Sequence, residues 1–239
     1  IHHLLEGMFV DDVELSPDGD LVLMRFSKVS PPGGDKDSWY EIRDLETDRM
    51  VHSFRHADIS SVEWVPDGRA VSYRTSDKKQ GSSIWFFDLQ TMELRQVLQN
   101  VEDLGGYEWS PNGTFIIYSV SEEAPEDKGG LKRYEGMPDR WPWWRNRSFL
   151  YQLDVASGVS RRLTHGYLTT GLQDISPDGT KILFSQSIPD FSQRPYSEQV
   201  LVEMDLNDFS IDSIWTIHMS GNCSYSPDGS KLLVLGSPA

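Results

Sequence analysis

The chain has 239 residues, 38% of them hydrophobic and a quarter charged, with a net charge of −15 and a pI near 4.7. That length is enough to bury a substantial core, and the acidic balance leaves no basic field for nonspecific nucleic-acid or anionic-membrane binding. No run of 18 apolar residues is present, so no membrane insertion by a helix is expected, and the single cysteine, Cys223, permits no internal disulfide.

The first residues, Ile1-His2-His3-Leu4-Leu5, lack a signal peptide's basic start and small-residue cleavage site, and read as an internal starting point. The first unit spans about 10–54, with strands at 10–15, 21–28, 39–45 and 50–54. Between the first two lies Ser16-Pro17-Asp18-Gly19. Proline presets φ for the first central position of a type I turn. Asp suits the next position, and glycine accepts the positive φ that returns the chain to a strand. Pro31-Pro32-Gly33-Gly34 makes a loop between the second and third strands.

The same corner recurs as Val65-Pro66-Asp67-Gly68, Ser110-Pro111-Asn112-Gly113, Ser176-Pro177-Asp178-Gly179 and Ser226-Pro227-Asp228-Gly229. The second unit covers about 60–98, the third 105–163 and the fourth 171–217; the last corner belongs to a half unit at 221–236. Successive corner prolines are 49, 45, 66 and 50 residues apart. A period of that size, filled with hairpins, predicts a propeller or related repeat array. Asp44, Asp88, Asp154 and Asp205 close the third strand at equivalent places. The fold class expected is all-β: a β-propeller of four-stranded antiparallel blades, incomplete at about four and a half blades. A half blade leaves bare edges, so the chain reads as part of a longer protein.

Two insertions, at 122–146 and 189–196, enlarge the loop between strands two and three of the third and fourth units. That loop lies at the opposite end of a blade from the repeated corner. Both insertions are therefore expected on one face, the candidate working face. The larger one packs Arg133, Arg140, Arg145 and Arg147 with Trp141, Trp143 and Trp144 into 15 residues. Arginine stacks on indole and still pairs with carboxylates, which suits a recognition surface. The competing reading has the tryptophans plugging the gap between blades or burying a domain contact.

Catalytic signals are negative. No Gly-x-Ser-x-Gly elbow and no phosphate-cradling Gly-x-x-x-x-Gly-Lys-Ser/Thr is present. The six histidines show no zinc spacing, so no metal or cofactor is expected. Cys223 reads as an inert buried thiol. Asn112, Asn146 and Asn222 sit in Asn-x-Ser/Thr triplets, which arise easily by chance. Glu122-Glu123 either anchors a substrate amine or belongs to a solvated loop.

The repeated Ser-Pro-Asp-Gly hairpin, the strand ending in Asp and the closing Leu163-Thr164 resemble the propeller repeats of TolB and of the prolyl oligopeptidase family. The passage from Arg133-Tyr134 through Trp141-Pro142-Trp143-Trp144-Arg145, with Phe149 to Gly158, looks like the corresponding blade of acylaminoacyl-peptidase and dipeptidyl-peptidase relatives. The resemblance implies a propeller that caps a C-terminal α/β-hydrolase domain of the same parent chain. It implies a serine exopeptidase acting on short peptides, gated by the propeller, with its Ser-His-Asp triad outside this chain. No catalytic residue carries over. The substrate-binding candidates are Glu122, Glu123, Arg133, Tyr134, Trp141, Trp143, Trp144 and Arg145. The paired glutamates of dipeptidyl-peptidase relatives stand in a different sequence context, which weakens that role for Glu122 and Glu123. The resemblance implies a periplasmic or secreted protein, with the cytosol as the alternative. The rival function is a non-catalytic TolB-like propeller that docks peptides or proteins.

Overall fold

A computed structural model describes residues 7–28, 37–56, 58–125, 134, 136–192, 194, 196–218 and 220–236. The chain is all-β, with no α-helix among the described residues. It divides into two compact units, residues 1–102 and 103–239. In the first, β1 (Met8–Leu15), β2 (Leu21–Lys28), β3 (Asp37–Asp44) and β4 (Met50–Phe54) form one antiparallel sheet in chain order. A second sheet holds β5 (Ile59–Trp64), β6 (Ala70–Asp77), β7 (Gly81–Asp88) and β8 (Leu94–Val101). The second unit repeats the pattern with β9 (Leu104–Trp109), β10 (Phe115–Glu122), β11 (Arg147–Asp154) and β12 (Ser160–Arg162). β13 (Thr169–Ile175), β14 (Lys181–Pro189), β15 (Ser197–Asp205) and β16 (Ile211–Ile217) follow. A two-stranded hairpin, β17 (Ser220–Tyr225) and β18 (Leu232–Gly236), is the last element. These are the four-stranded blades and the half blade of an incomplete β-propeller.

Several strands run further than their apolar pattern indicates. β1 starts at Met8 because Met8 pairs with Lys28, and β8 reaches Val101 because Val101 pairs with Ser82. The ladder continues wherever a partner strand offers N–H and C=O groups, whether or not the side chains are apolar.

The repeated corner has one hydrogen-bond plan. Ser16 N–H donates to Leu21 O and Gly19 N–H to Ser16 O, both at 2.9 Å. The Ser16 hydroxyl donates to Asp18 Oδ1 at 2.6 Å and accepts the Leu21 N–H at 2.9 Å. Ser110, Ser176 and Ser226 repeat both side-chain bonds with Asn112, Asp178 and Asp228. Val65 keeps only the backbone pattern. All five corner glycines have φ between +68° and +82°, where a Cβ is strained. Consecutive corners also touch within each unit. A Cβ on Gly68 would stand 3.4 Å from Asp18 Cγ, and one on Gly229 would stand 3.6 Å from Pro177 Cδ.

The apolar core lies between sheets. In the first unit, Leu23, Ile42 and Phe54 pack with Val62, Trp64, Val71 and Phe87 of the next sheet. In the second, Phe115, Ile117 and Leu150 meet Ile182, Phe184 and Met204. Leu183 and Leu201 carry the contact onward to Cys223 of the hairpin. Cys223 is buried, and burial pushes its thiol up, which suits an inert core residue. The hairpin is also held by polar bonds. Asp174 Oδ2 accepts the Tyr225 N–H at 2.6 Å, and Gln173 Oε1 accepts the Cys223 N–H at 3.0 Å.

Ser110 is fully buried, so Ser110→Ala leaves the Phe115 N–H without its side-chain acceptor. The expected loss is about 1–3 kcal/mol in urea unfolding; an unchanged midpoint contradicts it. The hydrogen bonds to Asp18, Asp178 and Asp228 hold their carboxyls low, Asp228 at about 2. A depressed folded pKa contributes stability that is present above the unfolded value and lost as pH falls through the folded one. The urea midpoint should therefore decline between pH 4 and pH 2, less steeply in a triple Asp→Asn variant.

Candidate functional site

The working-face expectation rests on the two insertions, and the structure brings them together. In the larger one, two 3₁₀ turns, Met137–Arg140 and Pro142–Arg145, follow one another. Each has a proline at its start, where the fixed φ fits and the missing N–H costs nothing. Gly136 precedes them. A Cβ there would lie 2.5 Å from Phe191 Cδ1 of the smaller insertion, so glycine permits the approach of the two loops.

The turns are mounted on one buried ion pair. Asp139 is wholly buried, and its two oxygens accept Arg145 Nε and Nη2, each at 2.7 Å. This fork-on-fork geometry is the strong form of the interaction. Arg147 continues the bracing. Its guanidinium donates to the carbonyls of Trp144, Asn146 and Tyr167 at 2.8–3.0 Å. Those bonds tie the insertion to the segment before β13.

On this frame Trp141 and Trp143 stack with ring centroids 5.0 Å apart and planes 20° from parallel. They are 45% and 62% exposed, so they do not fill a gap between blades. Arg140 lies over the Trp141 ring at 5.0 Å. Met137 and Tyr134 are exposed too, and Phe191 is partly so. Trp144 is half-buried. Its backbone N–H donates to Trp141 O at 3.1 Å.

The remaining sequence candidates fall elsewhere. Glu122 ends β10, and its Oε1 accepts Arg162 Nη1 at 2.7 Å. That arginine sits 3.9 Å from the Phe149 ring centroid. Glu122 is thus engaged with a cation of its own blade. Glu123 is exposed just beyond the strand. Arg133 lies outside the described residues, as does most of the acidic stretch before it. Met137, Asp139 and Phe191 carried no signal beyond their insertions. Gly136, next to a turn-forming Pro138, is the one trace of the close approach.

Asp190 organises the described part of the smaller insertion. Its Oδ1 accepts the Ser192 N–H and hydroxyl at 2.9 and 2.6 Å, and its N–H donates to Tyr196 O at 2.9 Å. His218, after β16, brings Nε2 to 3.5 Å from Asp190 Oδ2. Among the described residues no group of three or more His, Cys, Asp or Glu is placed to hold a metal ion.

No protein-family model matches the chain. An uncharacterized protein of Agrobacterium fabrum is 25% identical over 171 residues, which cover 58% of that protein. Among solved structures, the acylaminoacyl peptidase of Pyrococcus horikoshii superposes on 98% of this chain with a TM-score of 0.73 and 16% identity. The match covers 36% of that enzyme. The β-propeller domain of the trilobed protease from Pyrococcus furiosus matches 97% of the chain and 64% of its own length. Its TM-score is 0.64 and its identity 15%. TolB of Acinetobacter baumannii matches 95% of the chain and 46% of its own length, with a TM-score of 0.54 and 18% identity. The chain spans less than two thirds of the length of each. It has the propeller fold shared by these peptidases and TolB-like proteins.

Proposed function

We propose that this chain is the substrate-gating propeller part of a serine exopeptidase of the acylaminoacyl- or dipeptidyl-peptidase kind. The observation that carries the reading is the exposed Trp141–Trp143 stack, seated on the buried Asp139–Arg145 pair where both insertions meet. Stacked indoles with an arginine above them bind extended, partly apolar chains by ring contact while leaving the backbone free to be read by polar groups. A rigid mount lowers the ordering cost of such contacts. The resemblance to a peptidase propeller over nearly the whole chain supports the same reading.

In this role the propeller does no bond cleavage. The serine, histidine and aspartate belong to an α/β-hydrolase domain of the parent chain, and the propeller admits and orients short peptides. The second reading is a TolB-like propeller that docks peptides or proteins with no hydrolase attached. The likeness to TolB favours it, and the same tryptophan face serves either partner.

The parent protein should be labelled by a serine-directed fluorophosphonate, and the 239-residue chain should not. No labelling of the parent supports the docking reading instead. In the labelled parent, Trp141→Ala with Trp143→Ala should raise KM for an aminoacyl or dipeptidyl amide about tenfold with little change in kcat. The melting temperature should hold. Arg145→Ala should behave differently, because it strands a buried carboxylate. The expected cost is about 3–5 kcal/mol of local stability, visible as a loss of protection from proteolysis within 134–147. Unchanged KM in the double tryptophan variant excludes this face from the substrate route.

A further inference from the structure

Inside the second unit, an open cavity of about 470 Å³ lies between the blades built on β9–β12 and β13–β16. Glu108 on β9 reaches into it. Leu172 supplies an apolar wall, and Ser119 and Thr169 bring hydroxyls. The backbone opens at Gly106, where an added Cβ would find nothing within 4 Å. Among the described residues, no lysine, arginine or histidine lines the cavity.

The Glu108 side chain has no hydrogen-bond or ion-pair partner among the described residues. The titratable groups around it are Tyr107 on its own strand, Tyr118 on β10 and Asp174 on β13. None supplies positive charge. Asp174 is itself committed, accepting the Ile175 N–H at 2.8 Å and the Tyr225 N–H at 2.6 Å. Burial, with the Asp174 charge added, pushes the Glu108 carboxyl up to about 7. The carboxylate form therefore lacks a counter-ion at neutral pH.

We propose that this cavity binds a small primary ammonium group, with Glu108 as its counter-ion and the neighbouring hydroxyls as further acceptors. The site is independent of the tryptophan surface and of whether a hydrolase domain follows. An ammonium carries three donors and matches a carboxylate flanked by hydroxyls. A short alkyl tail fits against Leu172. A bare divalent metal fits poorly, because one carboxylate offers too few hard oxygens. Two sources present this chemistry: the amino terminus of a peptide, or the end of a lysine-like side chain or free amine.

The test is calorimetric titration of the protein with n-butylammonium and with neutral n-butanol, between pH 6 and pH 8. Saturable binding of the amine and none of the alcohol is expected. n-Butylammonium stays protonated here, with a pKa of ~10, so of the groups lining the cavity only Glu108 changes charge. Affinity should fall about tenfold from pH 8 to pH 6 as the carboxylate takes up its proton. Glu108→Gln should weaken binding at pH 8 at least tenfold and flatten the pH profile. Gly106→Leu narrows the cavity beside Glu108 without altering charge and should also weaken binding. Alanyl-alaninamide and its N-acetyl form, compared at pH 7 where a peptide amino terminus is still mostly protonated, separate the sources: preference for the free amino end over butylammonium assigns peptide termini, and the reverse assigns side-chain or free amines. The proposal is overturned by no saturable amine binding, by equal binding of butanol, by a flat wild-type pH profile, or by undiminished binding in Gly106→Leu.

Discussion

One hydrogen bond, repeated, sets the frame: a corner serine hydroxyl accepting the N–H five residues ahead. In Ser16, Ser110, Ser176 and Ser226 this bond is 2.9–3.0 Å long. It closes the turn from the inside while the Asp or Asn two residues on receives the hydroxyl proton. The strand before the corner and the strand after it are thereby locked in one register. A slip of one residue would turn the buried and exposed faces over. Since the core sits between sheets rather than within one, the blades of each unit depend on that register to present their apolar sides to one another. Val65 shows what is dispensable. Its backbone bonds remain, and its side chain joins the core instead.

A frame fixed at one end frees the other for variation. The corners are short and alike, whereas the loops at the opposite end range from the tight Asp77–Gly81 connection to the long insertion before β11. Large loops need their own anchoring. Here it comes from a carboxylate–guanidinium pair sealed inside the loop and from Arg147 capping three carbonyls. What such anchoring yields is an aromatic surface that stays in place without being buried. The cationic content of that segment stands out against a chain of net charge −15, which favours partners approaching with carboxylates or carbonyls turned toward it.

Much of this was legible in the residues. Proline, Asp or Asn and glycine in fixed order mean a corner because each removes alternatives to one backbone path. Their spacing then means blades, and Asp44, Asp88, Asp154 and Asp205 mark strand ends by accepting N–H groups of the following turn, as observed. The placement of both insertions at one end follows from strand parity alone. What stayed hidden depends on three-dimensional neighbours. Nothing in the order of residues distinguishes Asp139, a buried anchor, from the solvated acids around it. Glu122 looks like half of a loop pair until Arg162, forty positions away, is found beside it. Glu108 reads as the polar member of an alternating strand. Its lack of a counter-ion is a property of the adjoining blade.

Asn112 is the corner that departs from aspartate, and its setting bears on chemical ageing. Asn-Gly pairs lose ammonia when the glycine nitrogen attacks the side-chain amide. At this corner the Gly113 nitrogen is held by Ser110 O at 2.8 Å, and the amide oxygen accepts from Ser110 Oγ and from both the N–H and hydroxyl of Thr114. Attack needs those bonds to open, so the folded molecule protects its own weak link. If the amide is lost without isomerisation, the product is the residue already used at positions 18, 67, 178 and 228. The isomerised product adds a carbon to the main chain and would break the turn.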